Sequence, residues 1–357
     1  MRNLNRQQQA RPARRPDYLI TLPGRQISPE LDARLITLTL VDKRGFESDQ
    51  LDITLSDHDG RLALPSKGAE IQLAIGWRGE GLVDRGTFTV DEVEHSGGSG
   101  GDSITVRARA ADLRNELPVK RSQSWHAGTL GEIINFIASR HELTPRISPE
   151  LAAVHIGHID QTDESDAHFL TRLAGRYDAD STIKAKHLVF VPRGAGRTAS
   201  GQTIAPITIR RSDGDNHRFV QADRNTHSGV KAWWHNPATA ERTFVMVGSD
   251  QNPKSLRGNN ATEADALAEA QSEWQRIRRA GSSLNLNLAE GVPNLYPETP
   301  VVARGWKPEI DSIEWVATEV THNMSDSGYT CSVNCEVIGS ENSDVDREQA
   351  DSDENFD

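Results

Sequence analysis

The sequence has few cysteines, few aromatic residues and no long hydrophobic run. Hydrophobic residues make up 36% of its 357 residues and aromatic residues 5%, a low but globular composition. No run approaches the roughly 18 apolar residues of a membrane-spanning helix. No apolar segment follows the charged N-terminus as in a secretory signal. We therefore expect a soluble protein without stable membrane association.

The two cysteines, Cys331 and Cys335, lie in a segment that alternates between apolar and polar residues. Such alternation predicts a strand with one buried face. Four residues of strand span about 13 Å, so these thiols are too far apart to form a disulfide or to share one metal ion. We predict that both are small core residues in a reducing compartment.

The charge is distributed unevenly along the chain. The net charge is −12, but residues 1–15 carry five arginines and no acid, whereas residues 340–357 carry eight acids and one arginine. An acidic body between the two ends binds nucleic acid poorly, because attraction to phosphate requires a basic face. We expect no nucleic-acid partner. The basic arm at 1–16 is predicted to be flexible, and it is either simply solvated or a contact for an acidic surface.

Residues 17–120 show five short segments in which apolar and polar residues alternate. This pattern, with turn residues between the segments, predicts a β-sandwich or small barrel. "DHDG" (57–60) predicts a turn, and "GGSGG" (97–101) predicts the tip of a hairpin. The apolar faces of the predicted strands contain Ile36, Leu38 and Leu40; Leu51, Ile53 and Leu55; Ile71, Leu73 and Ile75; Phe88 and Val90; and Ile104, Val106 and Ala108.

Residues 121–203 change to a helical period and predict an α/β insert domain with a linker. Thr129 and Glu132 have the spacing of a capping box, and apolar residues then recur at helical spacing as far as His141. The segment "HLVFVP" (187–192) predicts a strand, and "GAGRTASG" (194–201) predicts the linker.

A second amphipathic helix is predicted at 163–177. Thr162 or Asp163 is its expected N-cap, and Asp166 follows in the first turn, where a carboxylate favours the helix dipole. The core of the insert is predicted to contain Leu130, Ile133, Ile134, Ile137, Leu170 and Leu173.

Residues 204–339 return to a β pattern and predict a second β-domain with one helix. That helix is expected to begin after Thr262 and to end at Gly281. Residues 340–357 are acidic and nearly free of apolar residues, which predicts a disordered tail. The expected strands lie around 204–210, 229–235, 242–247, 284–289, 300–304, 313–322 and 328–338.

Two segments contain candidate metal ligands. "HIGHID" offers His155, His158 and Asp160, but on a strand His155 faces one side and the other two face the opposite side. No further cluster supplies the missing ligands, so we interpret the segment as exposed extended chain. "SDGDNH" (212–217) lacks the ligand spacing of a calcium loop, and its Asp-Gly pair predicts a hairpin instead.

Four tryptophans are candidate contact residues. Trp233 and Trp234 are adjacent, so on a strand one ring faces inward and one outward. The outward ring is either an anchor at a subunit contact or an isolated surface ring. The same two interpretations apply to Trp306 and Trp315.

Several motifs together resemble a known family. An extended segment, "HIDQTDESD", leads directly into the helical segment "AHFLTRLAGRY". Over roughly Asp17 to Ile338 the chain resembles the phage late control gene D family, which are baseplate hub proteins of contractile tails. It is also similar to the N-terminal hub module of type VI secretion spike proteins. The further motifs are "ITIRRSDGDNHRF" (207–219), "SEWQR" (272–276), "YPETPV" (296–301) and "WKPEID" (306–311).

The resemblance implies a structural role. It implies two tube-like β-barrel domains, at 17–120 and 204–339, flanking a small LysM-like α/β domain. Three subunits would form a homotrimer that joins the six-fold tail tube to the three-fold central spike. The implied partners are the central spike protein, the tail tube or tube-initiator protein, the tape-measure protein and the baseplate wedge proteins. The implied location is the baseplate of a virion tail or tail-like particle, assembled in the host bacterial cytoplasm.

The alternative is a hub-associated cell-wall-binding or cell-wall-degrading protein, because the helices and strand of the insert resemble glycan-binding LysM modules. Hydrolysis of peptidoglycan requires two positioned carboxylates, and no marker in the sequence selects such a pair. Glu132, the most suggestive carboxylate, is already explained by helix capping. We therefore predict no enzyme, no catalytic residue, no cofactor and no metal site.

Overall fold

A computed structural model of the chain describes residues 14–23, 25–45, 48–110, 119–184, 186–221, 227–237 and 239–338. These residues form a mainly β protein, which confirms the sequence prediction at that level. Most of the predicted basic arm and the whole predicted acidic tail lie outside the described residues. None of the helices in the described ranges has the length and apolar character that crossing a membrane requires.

The first part of the chain consists of antiparallel strands and one short helix. The β6–β7 hairpin has its tip at the glycine-rich segment 97–101, as predicted. At 57–60 the chain makes the predicted turn, in which the Gly60 N–H donates to the Asp57 carbonyl at 2.9 Å. The elements are β1 (Pro16–Leu22), β2 (Arg25–Gln26), α1 (Ser28–Leu31), β3 (Leu35–Lys43), β4 (Gln50–Ser56), β5 (Glu70–Trp77), β6 (Gly81–Gly98) and β7 (Gly101–Ala110).

The middle part mixes helices and strands around its own core. β8 and β10 form a two-stranded antiparallel ribbon, while β11, β12 and β9 form a three-stranded sheet. All six predicted core side chains of this part are at most 3% exposed. The elements are β8 (Lys120–Thr129), α2 (Leu130–Arg140), β9 (Thr144–Ile147), α3 (Pro149–Ala152), β10 (His155–Ser165), α4 (Asp166–Arg176), β11 (Ala179–Lys184) and β12 (His187–Pro192).

Among the described residues, the last part contains nine strands of varied length, one long helix and one short helix. β15, β16 and β17 form a small separate sheet, and its inner face packs on α5 around Val230, Ala232 and Ala270. Thr262 caps α5, as predicted, and its hydroxyl accepts the Asp265 N–H. The elements are β13 (Ile207–Arg210), β14 (Gly214–Gln221), β15 (Gly229–Asn236), β16 (Glu241–Gly248), β17 (Pro253–Asn260), α5 (Glu263–Arg279), β18 (Ser282–Leu288), β19 (Pro300–Arg304), α6 (Pro308–Asp311), β20 (Trp315–Ser325) and β21 (Gly328–Val337).

Strands from both ends of the chain share one 13-stranded sheet. Its order is β14-β18-β21-β20-β3-β4-β7-β6-β5-β1-β2, with β19 paired to β20 and β13 paired to β19. The two β regions meet where β3 pairs antiparallel with β20, from Lys43 opposite Glu319 to Thr37 opposite Ser325. One continuous hydrophobic core lies against this sheet and includes residues of both regions. The two regions are therefore joined by main-chain hydrogen bonds as well as by packing.

One residue of the predicted first-strand face is not buried. Leu38 and Leu40 are 0% exposed, as alternation predicts, but Ile36 is 43% exposed. The register between β3 and β4 shifts between Leu35 and Thr37. Such a bulge reverses the inside–outside alternation at that point, so Ile36 faces solvent.

The predicted N-cap of the second insert helix is wrong. α4 begins at Asp166, and Ser165 caps it by accepting the His168 N–H. Thr162 and Asp163 belong to β10, which stays paired with β8 as far as Ser165 opposite Lys120. Continued strand pairing delays the helix start, and the sequence motif does not reveal that pairing.

The two cysteines are free and buried on one face of β21, as predicted. Their surroundings differ, because the Cys331 sulfur accepts the Val292 N–H at 3.3 Å and lies 2.9 Å from His322 Nδ1. For Cys335→Ala we expect a loss on the order of 1 kcal/mol from the small cavity. For Cys331→Ala we expect a larger loss, because a backbone N–H also loses its acceptor. Urea denaturation of both variants measures the difference, and equal losses would mean that the sulfur contacts of Cys331 contribute nothing.

Candidate functional site and assembly surfaces

The exposed face of the β8–β10 ribbon contains two of the three predicted metal-ligand candidates. His158 Nε2 lies 3.1 Å from Asp160 Oδ2, so these two side chains are together, as predicted. His155 is exposed on the same strand and has no part in this contact. His126, which is not among the predicted candidates, lies directly opposite His158 in the ribbon, with 2.9 Å between the two Nδ1 atoms. Only the strand pairing brings these two histidines together.

The other candidate sites have structural roles or different geometry. Glu132 and Thr129 form the predicted capping box at the start of α2. The Asp-Gly pair of "SDGDNH" does not form a hairpin, which corrects the prediction: a single 3₁₀ turn at Arg211–Asp213 links β13 to β14. These two strands pair with β19 and β18, not with each other. Within the described ranges, no three histidine, cysteine or acidic side chains converge in a way that holds a metal ion.

The tryptophans separate into core and surface rings. Trp234 packs against the small core beside α5. Trp233 faces the other way and lies edge-on to Phe244, with 5.3 Å between the ring centroids. Phe244 is 40% exposed, and the Arg242 guanidinium lies 4.4 Å from the Trp233 ring centroid. Trp315 is buried in the main core.

The insert has a smaller aromatic surface. Phe136 on α2 is 48% exposed and meets the Trp125 ring edge-on at 5.1 Å. A cavity of about 90 Å³ lies beside Trp125 and Glu132. Arg140 covers the Phe136 ring at 4.8 Å from its centroid. This surface offers one aromatic face with charged groups beside it.

The main path of the 13-stranded sheet has two ends, and a side branch adds a third. β14 forms one end of the path and β1 with the two-residue β2 forms the other, while β13 ends the branch that leaves β20 through β19; among the described residues no strand lies beyond them. In β14 the run from Asp215 to Arg218 is exposed. Unpaired edge N–H and C=O groups readily pair with another chain. The edges are therefore candidate contacts between subunits.

A buried polar group lies at the seam between the two β regions. Arg85 of β6 forms an ion pair with Asp42 of β3 and donates to the Pro293 carbonyl at 2.9 Å. Its guanidinium also lies 3.1 Å from His322 Nε2. Burial lowers the pKa of His322 to about 3, and the Arg85 charge acts in the same direction. His322 is therefore neutral at physiological pH, and the seam carries one buried ion pair.

A second buried charge group, the junction cluster, joins three parts of the chain. It consists of Arg44, Asp178, Asp180, Arg279, Glu298 and Glu336.

Arg44 is the central cation of the junction cluster. It follows β3 and contacts Asp180 of the insert at 3.2 Å, Glu298 at 2.5 Å, and Glu336 of β21. Arg279 of α5 pairs with Asp178 of the insert. Because one cluster takes residues from the first β region, the insert and the last region, it fixes the insert to the body.

The pKa of the Glu298 carboxyl in this cluster is strongly raised. Burial raises its pKa to about 8, against the opposing charge of Arg44, and the neighbouring Asp180 adds to the rise. The Glu298 carboxyl also accepts the Gly194 N–H at 3.0 Å. A proton on Glu298 at neutral pH reduces the excess negative charge that surrounds Arg44.

This shift predicts a pH dependence of stability. Between the ordinary pKa near 4.5 and the folded value near 8, the folded state binds a proton that the unfolded state has lost. The free energy of unfolding should therefore fall as the pH rises through this window. In Glu298→Gln the side chain stays neutral, so we expect the free energy of unfolding of this variant to depend less on pH. The stability of the variant relative to the wild type should therefore be greater at pH 8.5 than at pH 5.5.

The measurement is urea denaturation at pH 5.5, 7.0 and 8.5. The control is Glu94→Gln, since Glu94 forms an exposed pair with Arg107. If the Glu298→Gln and wild-type curves stay parallel across the three pH values, Glu298 is not protonated in the folded state.

Comparison with known proteins identifies close relatives over nearly the whole length. Residues 46–328 match the family described as phage tail baseplate hub (GPD). The chain is 41% identical over 362 residues to the probable baseplate hub protein of Escherichia phage P2, covering 90% of this chain and 93% of that protein.

Solved structures share the fold at much lower sequence identity. The 43 kDa tail protein of prophage MuSo2 from Shewanella oneidensis has a TM-score of 0.67 and 14% identity, covering 90% of this chain and 98% of the other. The E. coli c3393 protein, a component of the type VI secretion system, has a TM-score of 0.56 and 12% identity, covering 90% and 77%. These likenesses concern the fold.

Proposed function

The chain belongs to the phage tail baseplate hub (GPD) family and is a baseplate hub protein of a phage tail. We propose that it works there as a homotrimeric adaptor. Three copies form a ring between the six-fold tail tube and the three-fold central spike. The single observation that carries the proposal is the match over 90% of the chain to a probable baseplate hub protein.

The sheet edges support a closed ring. β14 and β1 lie at opposite ends of the 13-stranded sheet. In a cyclic trimer each subunit presents one edge region to each neighbour, so the edges are covered without open-ended growth. The two regions at 17–120 and 204–339 then act as the tube-like barrels, and their joint sheet fixes the angle between them.

The insert at 121–203 is proposed to be a LysM-like domain on the outside of the ring. Its own core keeps it folded without a contribution from the ring contacts. The proposed partners are the spike, the tube or tube-initiator protein, the tape-measure protein and the wedge proteins, without nucleic acid or membrane. Assembly takes place in the host cytoplasm, and the hub has no catalytic activity of its own.

The test is native mass spectrometry of the purified protein with the spike protein of the same particle. We expect three copies of each in one complex. A stable complex of one hub copy with one spike copy would overturn the proposal of a trimeric adaptor. Digestion of purified cell wall by the same preparation would overturn the non-catalytic assignment.

Glycan binding by the insert is the second candidate function. The exposed Phe136 ring beside Trp125 favours it, because sugar rings stack on aromatic faces. The measurement is a pull-down with insoluble peptidoglycan. Phe136→Ala should release the protein, while Phe244→Ala, at the other exposed aromatic surface, should not. Equal retention of both variants on peptidoglycan would show that the Phe136 surface of the insert does not bind glycan.

A further inference from the structure

Two paired histidines on the β8–β10 ribbon have no role in the proposed hub assembly. His126 and His158 are cross-strand partners, and their rings are nearly parallel at 23° with centroids 4.6 Å apart. The two Nδ1 atoms face each other at 2.9 Å. Both rings lie on the exposed side of the ribbon, where His158 is 51% exposed.

This spacing is close to the one that a chelated metal ion imposes. Imidazole nitrogens bind zinc and similar ions at about 2.0–2.1 Å, so two nitrogens on one ion lie roughly 2.8 to 3.4 Å apart for bond angles between 90° and 109°. The two nitrogens therefore need to separate by at most a few tenths of an ångström to admit an ion. The ion would then replace the proton that the two Nδ1 atoms share.

The second nitrogen of His158 has the partner that metal-binding histidines usually have. Nε2 lies 3.1 Å from Asp160 Oδ2, and the Ser124 hydroxyl donates to the other carboxylate oxygen at 2.6 Å. A carboxylate behind a ligating histidine fixes the tautomer that leaves Nδ1 free to bind and increases its basicity. Ser124 in turn fixes the orientation of Asp160.

We propose that His126 and His158 form a two-histidine chelate for a divalent transition-metal ion such as Zn²⁺, Ni²⁺ or Cu²⁺, with Asp160 as the positioning residue of His158. Imidazole suits these ions, and water completes the coordination, since two protein ligands leave positions open. Binding would clamp β8 to β10 at the outer face of the insert.

The experiment is calorimetric titration of the untagged full chain with Ni²⁺ and with Zn²⁺ at pH 7.5. We expect a site that is present in the wild type, lost in His126→Ala and in His158→Ala, and retained in His155→Ala. His155 is the matched control because it is an exposed histidine on the same strand. Asp160→Asn should keep the site with roughly tenfold or greater weakening.

A second readout separates this site from the other histidines of the chain. The Cu²⁺ electron paramagnetic resonance spectrum should show two coordinated nitrogens in the wild type and lose them in His158→Ala. Without metal, the melting curves of all four variants should be nearly equal, because the substituted side chains are exposed. Added Ni²⁺ should raise the melting temperature only of proteins in which both histidines of the pair are present. If His126→Ala or His158→Ala binds as the wild type does, or if the wild type binds no ion, the pair is only hydrogen-bonded and the proposal is overturned.

Discussion

Replacing Arg44 with methionine should destabilise the protein by about 3–5 kcal/mol, the usual cost of breaking a buried ion pair by removing one partner. The Arg44 side chain is 11% exposed and contacts Asp180, Glu298 and Glu336. Burial by itself would lower the pKa of Arg44, but its three acidic neighbours raise it on balance, so the cation belongs to the folded state. Without it, three acidic groups share a poorly solvated space with less positive charge.

The control is Arg107→Met on the β6–β7 hairpin. Arg107 also pairs with two carboxylates, Glu92 at 2.8 Å and Glu94 at 3.1 Å, but at an exposed site. Exposed pairs contribute about 0–1 kcal/mol, so this variant should unfold nearly as the wild type does. Urea denaturation of both variants gives the comparison.

A second substitution checks the cause. Glu336→Gln in the Arg44→Met background removes a carboxylate that has been left without this cation, so it should restore part of the lost stability. Hydrogen exchange should show faster opening of the insert and of β21 in Arg44→Met, because those segments meet at the cluster. If Arg44→Met costs no more than Arg107→Met, the junction cluster is hydrated and does not hold the insert to the body.

The second large effect concerns ring assembly. Leu286→Asp should abolish trimers, whereas Ile134→Asp should reduce them much less. Leu286 is 2% exposed in the main core, beside Leu284 and Leu288, and Ile134 is 0% exposed in the core of the insert. Either change buries an unpaired charge and should unfold its own region.

The two regions differ in what they contribute to the proposed ring. Loss of the main core removes the sheet and its edge strands. Loss of the insert core leaves the sheet intact, and Arg44 keeps Glu298 and Glu336 as partners after Asp180 is lost. The measurement is trimer yield by native mass spectrometry. Trimers that persist in Leu286→Asp but vanish in Ile134→Asp would mean that the insert is the assembly element.

The sequence alone located many of the strands and helices, because the spacing of apolar residues along the chain follows which side chains are buried. The alternation in Leu284, Leu286 and Leu288 and the helical spacing from Leu130 to Ile137 correspond to buried faces in the structure. The capping box of Thr129 and Glu132 is likewise formed by residues three positions apart. The motifs that carry the family resemblance are also local, so membership in the hub family was predictable from the chain alone.

Which distant segments meet depends on packing across the whole chain. The pairing of β3 with β20 joins residues nearly 300 positions apart, and no local pattern specifies such a partner. Arg44 and Arg85 are indistinguishable in sequence from surface arginines, and their burial follows from the carboxylates that the fold brings to them. The facing of His126 and His158 depends in the same way on strand register, because register is fixed by packing across the whole ribbon.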